Sequence, residues 1–269
     1  MARARLRQLK AMRTLTCEAV TLFAALHIVD DDGIPISPAP HHMLWVRLLC
    51  DERIKKLLII APPESAKTTW VLSAYVGCYI SFYPERNVII GSVSGSVAEK
   101  RSVSIRAMIE SAAWRGAFPD IQQAQGMAWT TTEWSIAPDG KPFAGRLHPT
   151  ISAYGTGGSV IGGRADLIVP DDLLDFDNTR TAHQRNLVAQ WFQNSLLSRL
   201  KSKTGRLAMV GTTWHHDDLI ARVRKEPGWV VCHTPLLGEG ADFYANLFYP
   251  DDWKYEKLGE PVAQAEVFS

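Results

Sequence analysis

The chain has 269 residues, 46% of them hydrophobic and 21% charged, a balance that excludes a disordered or fibrous protein and allows a sizeable core without disulfide or metal staples. Lysine and arginine number 29 against 28 aspartates and glutamates, so whole-molecule charge gives no attraction to nucleic acid and any such contact must be local. No run of eighteen apolar residues and no leader-type N-terminus occurs, which predicts a cytoplasmic protein with no membrane partner. Cys17, Cys50, Cys78 and Cys232 are scattered without CxxC spacing and read as reduced core residues.

Arg3, Arg5, Arg7, Lys10 and Arg13 make the first thirteen residues basic, which reads as a solvated helix end, with a phosphate-binding arm as the alternative. A helical pattern around 14–28 ends in the turn Asp30-Asp31-Asp32-Gly33, and a proline-rich link follows, so residues 1–37 are expected to be a small helical piece. The main body is expected over 38–235. Pro40 opens a helix from His41 to Arg53, and the apolar run Leu57 to Ile60 suits a strand buried on both faces. A helix is predicted over 67–82, a strand over 87–91, and a helix over 96–110 with Ser96 and Glu99 as a capping box. Residues 127–155 alternate polar and apolar around Asp139-Gly140, which predicts a β-hairpin insert. Next come the strand Leu167 to Val169, a helix over 181–200, a strand over 206–211, a helix over 216–225 and a last strand Trp229 to His233. The alternation of strand and helix predicts an α/β fold with a mainly parallel central sheet flanked by helices. Residues 236–269 show no periodicity and read as a linker or partial subdomain.

Three strand ends carry chemistry. Ala61-Pro62-Pro63-Glu64-Ser65-Ala66-Lys67-Thr68 lies between a buried strand and a helix and matches the phosphate-loop pattern GxxxxGK[ST] in its lysine and hydroxyl, with alanine at both glycine positions. Within the stretch Pro63 to Thr69, backbone N–H groups, those of Glu64, Ser65 and Ala66 among them, would cradle phosphates at a helix start, Lys67 would neutralise their charge, and Thr68, with Thr69 as the fallback, would ligate Mg²⁺. Leu167-Ile168-Val169-Pro170 runs into Asp171-Asp172, as a Walker B strand does; Asp171 would hold Mg²⁺ and Asp172 would polarise the attacking water. Pro170 is awkward there, because proline gives no donor to a central ladder. Met209 to Leu219 (MVGTTWHHDDL) again joins a strand to a helix, with Thr212 as the sensor of the terminal phosphate and Asp217 as the helix cap. Together these predict ATP and Mg²⁺ binding.

These segments resemble the large subunit of tailed-phage terminases, over roughly residues 38–255. GTTWHHDDL is similar to that family's coupling motif, Ser94 to Arg106 to the segment after its second strand, and Phe248 to Trp253 to its linker into a nuclease domain. The resemblance implies a P-loop NTPase of the ASCE, RecA-like class that pumps double-stranded DNA into a procapsid as a homo-oligomeric ring in the host cytoplasm, with a portal protein and a terminase small subunit as partners. It also implies that His41 and His42 sit near the adenine, and that Arg101, Arg106 or Arg164 is an arginine finger. No nuclease activity is expected from this polypeptide. The competing readings are a nucleotide-binding assembly module that has lost hydrolysis, and a different P-loop enzyme such as a helicase or small-molecule kinase.

Overall fold

Buried apolar runs, too short to be helices, form the centre of the molecule. The computed structural model describes residues 2–30, 32–160, 163–235, 246–255 and 257. In chain order the elements are α1 (Ala2–Ala11), α2 (Cys17–His27), α3 (Pro40–Cys50), β1 (Lys56–Ile60), a π-helical stretch Thr69–Val76 that continues into α4 (Gly77–Phe82), β2 (Val88–Ser92), α5 (Gly95–Glu110) and α6 (Ala112–Ala117). There follow β3 (Ile121–Gln123), β4 (Glu133–Trp134), β5 (Ile136–Pro138), β6 (Ile151–Gly155), β7 (Leu167–Pro170), α7 (Phe176–Thr179) and α8 (Ala182–Gln190) with its π and 3₁₀ extensions to Arg199. The last are β8 (Arg206–Gly211), α9 (Leu219–Val223), β9 (Trp229–His233) and β10 (Asn246–Phe248).

Eight strands form one sheet in the order β10-β9-β1-β8-β7-β2-β6-β4. From β9 to β6 all neighbours are parallel; β10 and β4 close the two edges antiparallel. The sheet is therefore α/β and mainly parallel, as the alternation of strand and helix predicted. Alternate residues of each strand enter separate cores: Leu57, Ile59, Val88, Ile90, Leu167 and Val169 pack toward the face bearing α2, α3, α4 and α5, while Leu58, Ile60, Ile89 and Ile168 pack toward α8 and α9. Both faces covered is what near-continuous apolar strands require. The N-terminal helices join the first of these cores through Leu9, Val20 and Phe23. All four cysteines are free, Cys78 and Cys232 buried, Cys17 and Cys50 half-buried. Among the described residues no helix is long and apolar enough to cross a membrane.

Several boundaries shift for local reasons. α2 starts at Cys17 because the Thr16 hydroxyl caps it, accepting from Ala19 N at 3.1 Å. α3 stops at Cys50 rather than Arg53, where Asp51 turns to grip the Arg53 guanidinium at 2.7 Å. The cap of α5 is Ser94, whose Oγ accepts from Val97 N, and not a Ser96–Glu99 box. α9 is capped by Asp218, which accepts from Ala221, Trp214 and His215 N–H groups, and not by Asp217. Asp217 is bound by Arg222 at 2.8 Å instead, which holds its carboxyl down to about 2.

The insert over 127–155 does place an antiparallel pair in the main sheet, β4 with β6 (Glu133↔Ser152, Trp134↔Ile151), but Asp139-Gly140 is not the tight turn of that pair. Asp139 and Gly140 do adopt left-handed backbone, φ 51° and 68°, but they end β5, whose partner is β3 in a separate two-stranded sheet. After the turn Arg146 sets the path of the chain while keeping it beside β5: its guanidinium donates to the carbonyls of Ile136 (3.3 Å), Pro84 (2.6 Å) and His148 (2.9 Å) and to Thr150 Oγ1 (2.9 Å), and Ile136 N donates to Thr150 Oγ1 at 3.0 Å. β6 then joins the main sheet parallel to β2. The tail contributes one more strand than expected, β10; residues 236–245 and 258–269 lie outside the described residues.

Pro170 does lie in a central strand. Asp171 N donates to Gly91 O on the β2 side, and Asp172 N to Val210 O on the β8 side. Since parallel strands alternate sides, the N–H that Pro170 lacks would face β8, and the β7–β8 pairing accordingly lapses after Ile168 and resumes at Asp171.

Burial also creates an acid-sensitive point. His27 sits on the Phe23 ring at 4.5 Å, neither ring nitrogen has a hydrogen-bond partner, and burial pushes its imidazole down to about 4. A lowered histidine pKa contributes stability at neutral pH that is lost as pH falls from about 6.5 toward 4, on the order of 2 kcal/mol for this group. His27→Leu is expected to keep the melting temperature at pH 7.5 and to flatten its fall between pH 6.5 and 4; an unchanged acid slope would contradict this.

Candidate functional site

The carboxyl ends of β1, β7 and β8 lie side by side, since β8 separates β1 from β7. From β1 the chain leaves through Ala61 into the loop 61–68, then turns into the helix beginning at Thr69. In this loop Glu64 and Ala66 have φ of 63° and 55°, while Ser65 between them is not in positive-φ space. Alternating handedness over consecutive residues turns their N–H groups toward one concave side, the geometry of an anion-binding nest. Glycine takes such angles freely, whereas a residue with a Cβ loses about 1–2 kcal/mol at each. The strain is therefore carried by neighbours. Ser65 Oγ donates to Pro62 O at 2.8 Å, Ala61 N donates to Gly211 O at 3.1 Å, and Thr212 Oγ1 donates to Ala61 O at 2.9 Å. Pro63, Glu64 and Ala66 are exposed on the loop rim and Ser65 and Thr69 are half-buried, so the rim is open to solvent.

Behind the loop stand the two acids. Asp171 is fully buried. Both of its carboxylate oxygens lie 3.1 Å from Thr68 Oγ1, and its Oδ2 is 3.1 Å from Arg101 Nε. The Arg101 N–H is buried without a well-aimed acceptor, so the contact is ionic rather than a formed hydrogen bond. Burial, then the neighbouring Asp172 charge, raises the Asp171 carboxyl to about 6 against the downward pull of Arg101, Thr68 and Lys67. A carboxylate kept so dry beside two cations and a hydroxyl is unfavourable alone and suited to a further positive partner. Ser92 Oγ fixes its backbone, donating to Asp171 O at 2.9 Å.

Asp172 is less buried and has φ 47°, another left-handed position, one that aspartate tolerates. Its Oδ2 is 3.3 Å from Lys67 Nζ, and Lys67 is itself buried. Thus Lys67, Thr68, Asp171 and Asp172 meet at the carboxyl ends of adjacent central strands, and Thr212, at the end of β8 between them, is tied to Ala61 O.

The three arginines separate clearly. Arg101 reaches the acids because α5 begins against β6: a Cβ on Gly155 would lie 2.1 Å from Gly95 N, and only glycine permits that approach. Arg106 is about 7.5 Å further along the helix axis and is engaged elsewhere, donating to Thr130 O at 2.6 Å and lying over the Trp129 ring. Arg164 precedes β7 at its amino end, roughly 20 Å of strand from Asp171, so within one chain it does not reach the acids. Sequence order alone gave no means of ranking them; the helix start at Ser94 does.

His41 and His42 open α3 beside the loop. His42 is buried, its Nδ1 accepts from Ala39 N at 3.0 Å and its Nε2 is 2.9 Å from Ser65 O. With Nδ1 accepting, Nε2 carries the proton and donates to the loop, and burial pushes the ring down to about 4, keeping it neutral. Its face stacks on Trp70 at 5.1 Å. His41 packs edge-on to His42 and Trp45, and its Nε2 is buried without a partner.

Among the described residues no three His, Cys, Asp or Glu side chains gather into a self-sufficient metal cage. Thr68 and Asp171 do offer the hard oxygen pair by which Mg²⁺ is held when phosphates supply further ligands. No protein-family model matches the chain, and no curated protein matches it as a relative.

Proposed function

We propose that this chain is the ATP-hydrolysing motor domain of a DNA-packaging terminase large subunit, an ASCE P-loop NTPase acting on double-stranded DNA. The observation that carries the reading is the meeting of an anion nest, a buried lysine, a hydroxyl and two acids of different environment at adjacent strand ends. In this reading the N–H groups of residues 64–68 hold the β- and γ-phosphates, and Lys67 leaves Asp172 to balance their charge. Thr68 and Asp171 hold Mg²⁺, which supplies charge neutralisation on the phosphate oxygens. Asp172, the more accessible acid, orients water for in-line attack on the γ-phosphorus. The bond to the β–γ bridging oxygen breaks, and ADP, inorganic phosphate and a proton leave. Arg101 serves the same charge from its own chain, and Arg106 and Arg164 are left as candidates to act on a neighbouring subunit's site in the homo-oligomeric ring. Thr212, tied to Ala61, links the β8 end to the loop and so reports phosphate loss.

DNA is held by its phosphates without sequence preference, which makes affinity fall steeply with salt. Portal protein and terminase small subunit complete the assembly, in the host cytoplasm. The alternative of a non-hydrolysing assembly module rests on the two alanines in the loop. The two readings separate in one assay of Mg²⁺-dependent ATP hydrolysis at high protein concentration, with and without double-stranded DNA. Turnover that rises with DNA is expected. Slow turnover alone is compatible with a missing neighbour's arginine, worth ~10³-fold or more; ATP binding with no hydrolysis at all would favour the assembly module.

A further inference from the structure

A phosphate loop without glycine needs something else to keep two residues in left-handed backbone. The Ser65 carbonyl belongs to the peptide plane whose rotation sets φ of Ala66, so whatever holds that oxygen holds Ala66 at 55°. That group is His42, whose Nε2 lies 2.9 Å away. The imidazole is itself locked, by Ala39 N at its other nitrogen, by the Trp70 face, and by Trp45 at its edge. Trp70 lies in the first turn after the loop, and its N–H donates to Ala66 O at 3.0 Å. Trp45 in turn is anchored to Thr234 on the far side of β1, through Nε1 to Oγ1 at 3.0 Å. The brace therefore runs from the neighbouring strand through α3 to one peptide of the loop. If that peptide flips, Ala66 relaxes to negative φ and its N–H leaves the concave side of the nest.

We propose that His42 is a positioning residue that takes the place of the phosphate-loop glycine, holding the Ser65–Ala66 peptide so that the Ala66 N–H faces the bound phosphate. Its ring nitrogens are both spent on backbone, so it does not read the adenine. The inference rests on the phosphate-site reading for its effect on binding, but the brace is testable without nucleotide.

The experiment uses wild type, His42→Phe, Ala66→Gly and the double variant. Phenylalanine keeps the stack on Trp70 and removes both nitrogens; glycine makes left-handed backbone free of strain. Two quantities are read: the backbone conformation of Ala66 in the nucleotide-free protein, from the strong intraresidue HN–Hα NOE that left-handed backbone gives, and the affinity for magnesium pyrophosphate. His42→Phe is expected to weaken that NOE to the level of negative-φ residues, leaving the β-strand NOEs unchanged, and to weaken pyrophosphate binding at least tenfold. Ala66→Gly is expected to restore binding in the His42→Phe background to within about threefold of wild type and to change little by itself. Equal effects of Ala66→Gly in both backgrounds, or an unchanged Ala66 NOE in His42→Phe, would overturn the proposal. If wild type does not bind pyrophosphate, the NOE result still decides the brace while the phosphate-site reading fails separately. A His42→Phe protein that fails to fold would be replaced by His42→Ala, expected to lose the Ala66 NOE, and His42→Gln, which supplies one N–H to Ser65 O and is expected to keep it; failure of either also counts against the proposal.

Discussion

Replacing Lys67 by alanine is expected to reduce ATP turnover at least ~10³-fold and to weaken ATP binding by one to two orders of magnitude, with the fold intact. The reason is location. Lys67 is nearly inaccessible, yet the partner in its ion pair, Asp172 at 3.3 Å, is partly open to solvent and held at an unusual backbone angle. A buried lysine normally needs a permanent counter-charge, and here that charge sits on the residue best placed to turn toward water. In the proposed site, phosphate entering the loop would take over as the counter-ion and release Asp172. Asp172→Asn is a clean companion variant, because asparagine also tolerates left-handed backbone. Stopped turnover with retained ATP binding is expected from it, read by steady-state hydrolysis and equilibrium binding side by side.

The second large effect has opposite signs for stability and activity. Asp171 is raised to about 6, first by burial and then by Asp172, so its ionised form is a cost to the nucleotide-free fold. An acid whose folded pKa lies above its unfolded one gives stability that is complete below about pH 4 and lost as pH rises through about 6. Asp171→Asn does not titrate. It is therefore expected to match wild type near pH 4 and to be more stable by on the order of 2 kcal/mol at pH 7.5, while turnover with Mg²⁺ disappears. The check is a pair of thermal melts at the two pH values, with and without Mg-ATP. Mg-ATP is expected to stabilise wild type at pH 7.5 and not the variant. A variant less stable than wild type at pH 7.5 would mean that Arg101 and Thr68, rather than a ligand still to come, are the intended partners of this carboxylate.

Much of this arrangement was readable in the residues. The strands at 56–60, 88–92, 206–211 and 229–233 fell within one residue of the apolar runs, because a strand buried on both faces leaves an unbroken apolar signal. Lys67, Thr68, Asp171, Asp172 and Thr212 could be singled out because each stands at the end of such a run. What escaped was set by contacts between segments distant in sequence. Asp139-Gly140 has the chemistry of a hairpin turn, yet the antiparallel partners in the insert are β4 and β6; the five-fold use of Arg146 as a donor, which ties the chain between them to Pro84, Arg86 and Ile136, leaves no periodic mark. Pro170 seemed to argue against a central strand, and only the register shows that its missing donor falls where the β7–β8 ladder opens. The hydrogen bonds of His42 were hidden for the same reason. A histidine at a helix start beside a loop suggests a ligand contact, and nothing local in sequence shows both ring nitrogens committed to Ala39 and Ser65.

The central claim is that loop 61–68 holds the phosphates of a nucleotide, and it is tested most directly by calorimetric titration of the wild-type protein with Mg-ATP, Mg-ADP and AMP. One site per chain is expected, tightest for ATP, weaker for ADP and at least ~100-fold weaker for AMP, since in the proposed site the nest and Lys67 would face the β- and γ-phosphates. No binding of Mg-ATP at millimolar concentration, or equal affinity for all three nucleotides, would contradict it.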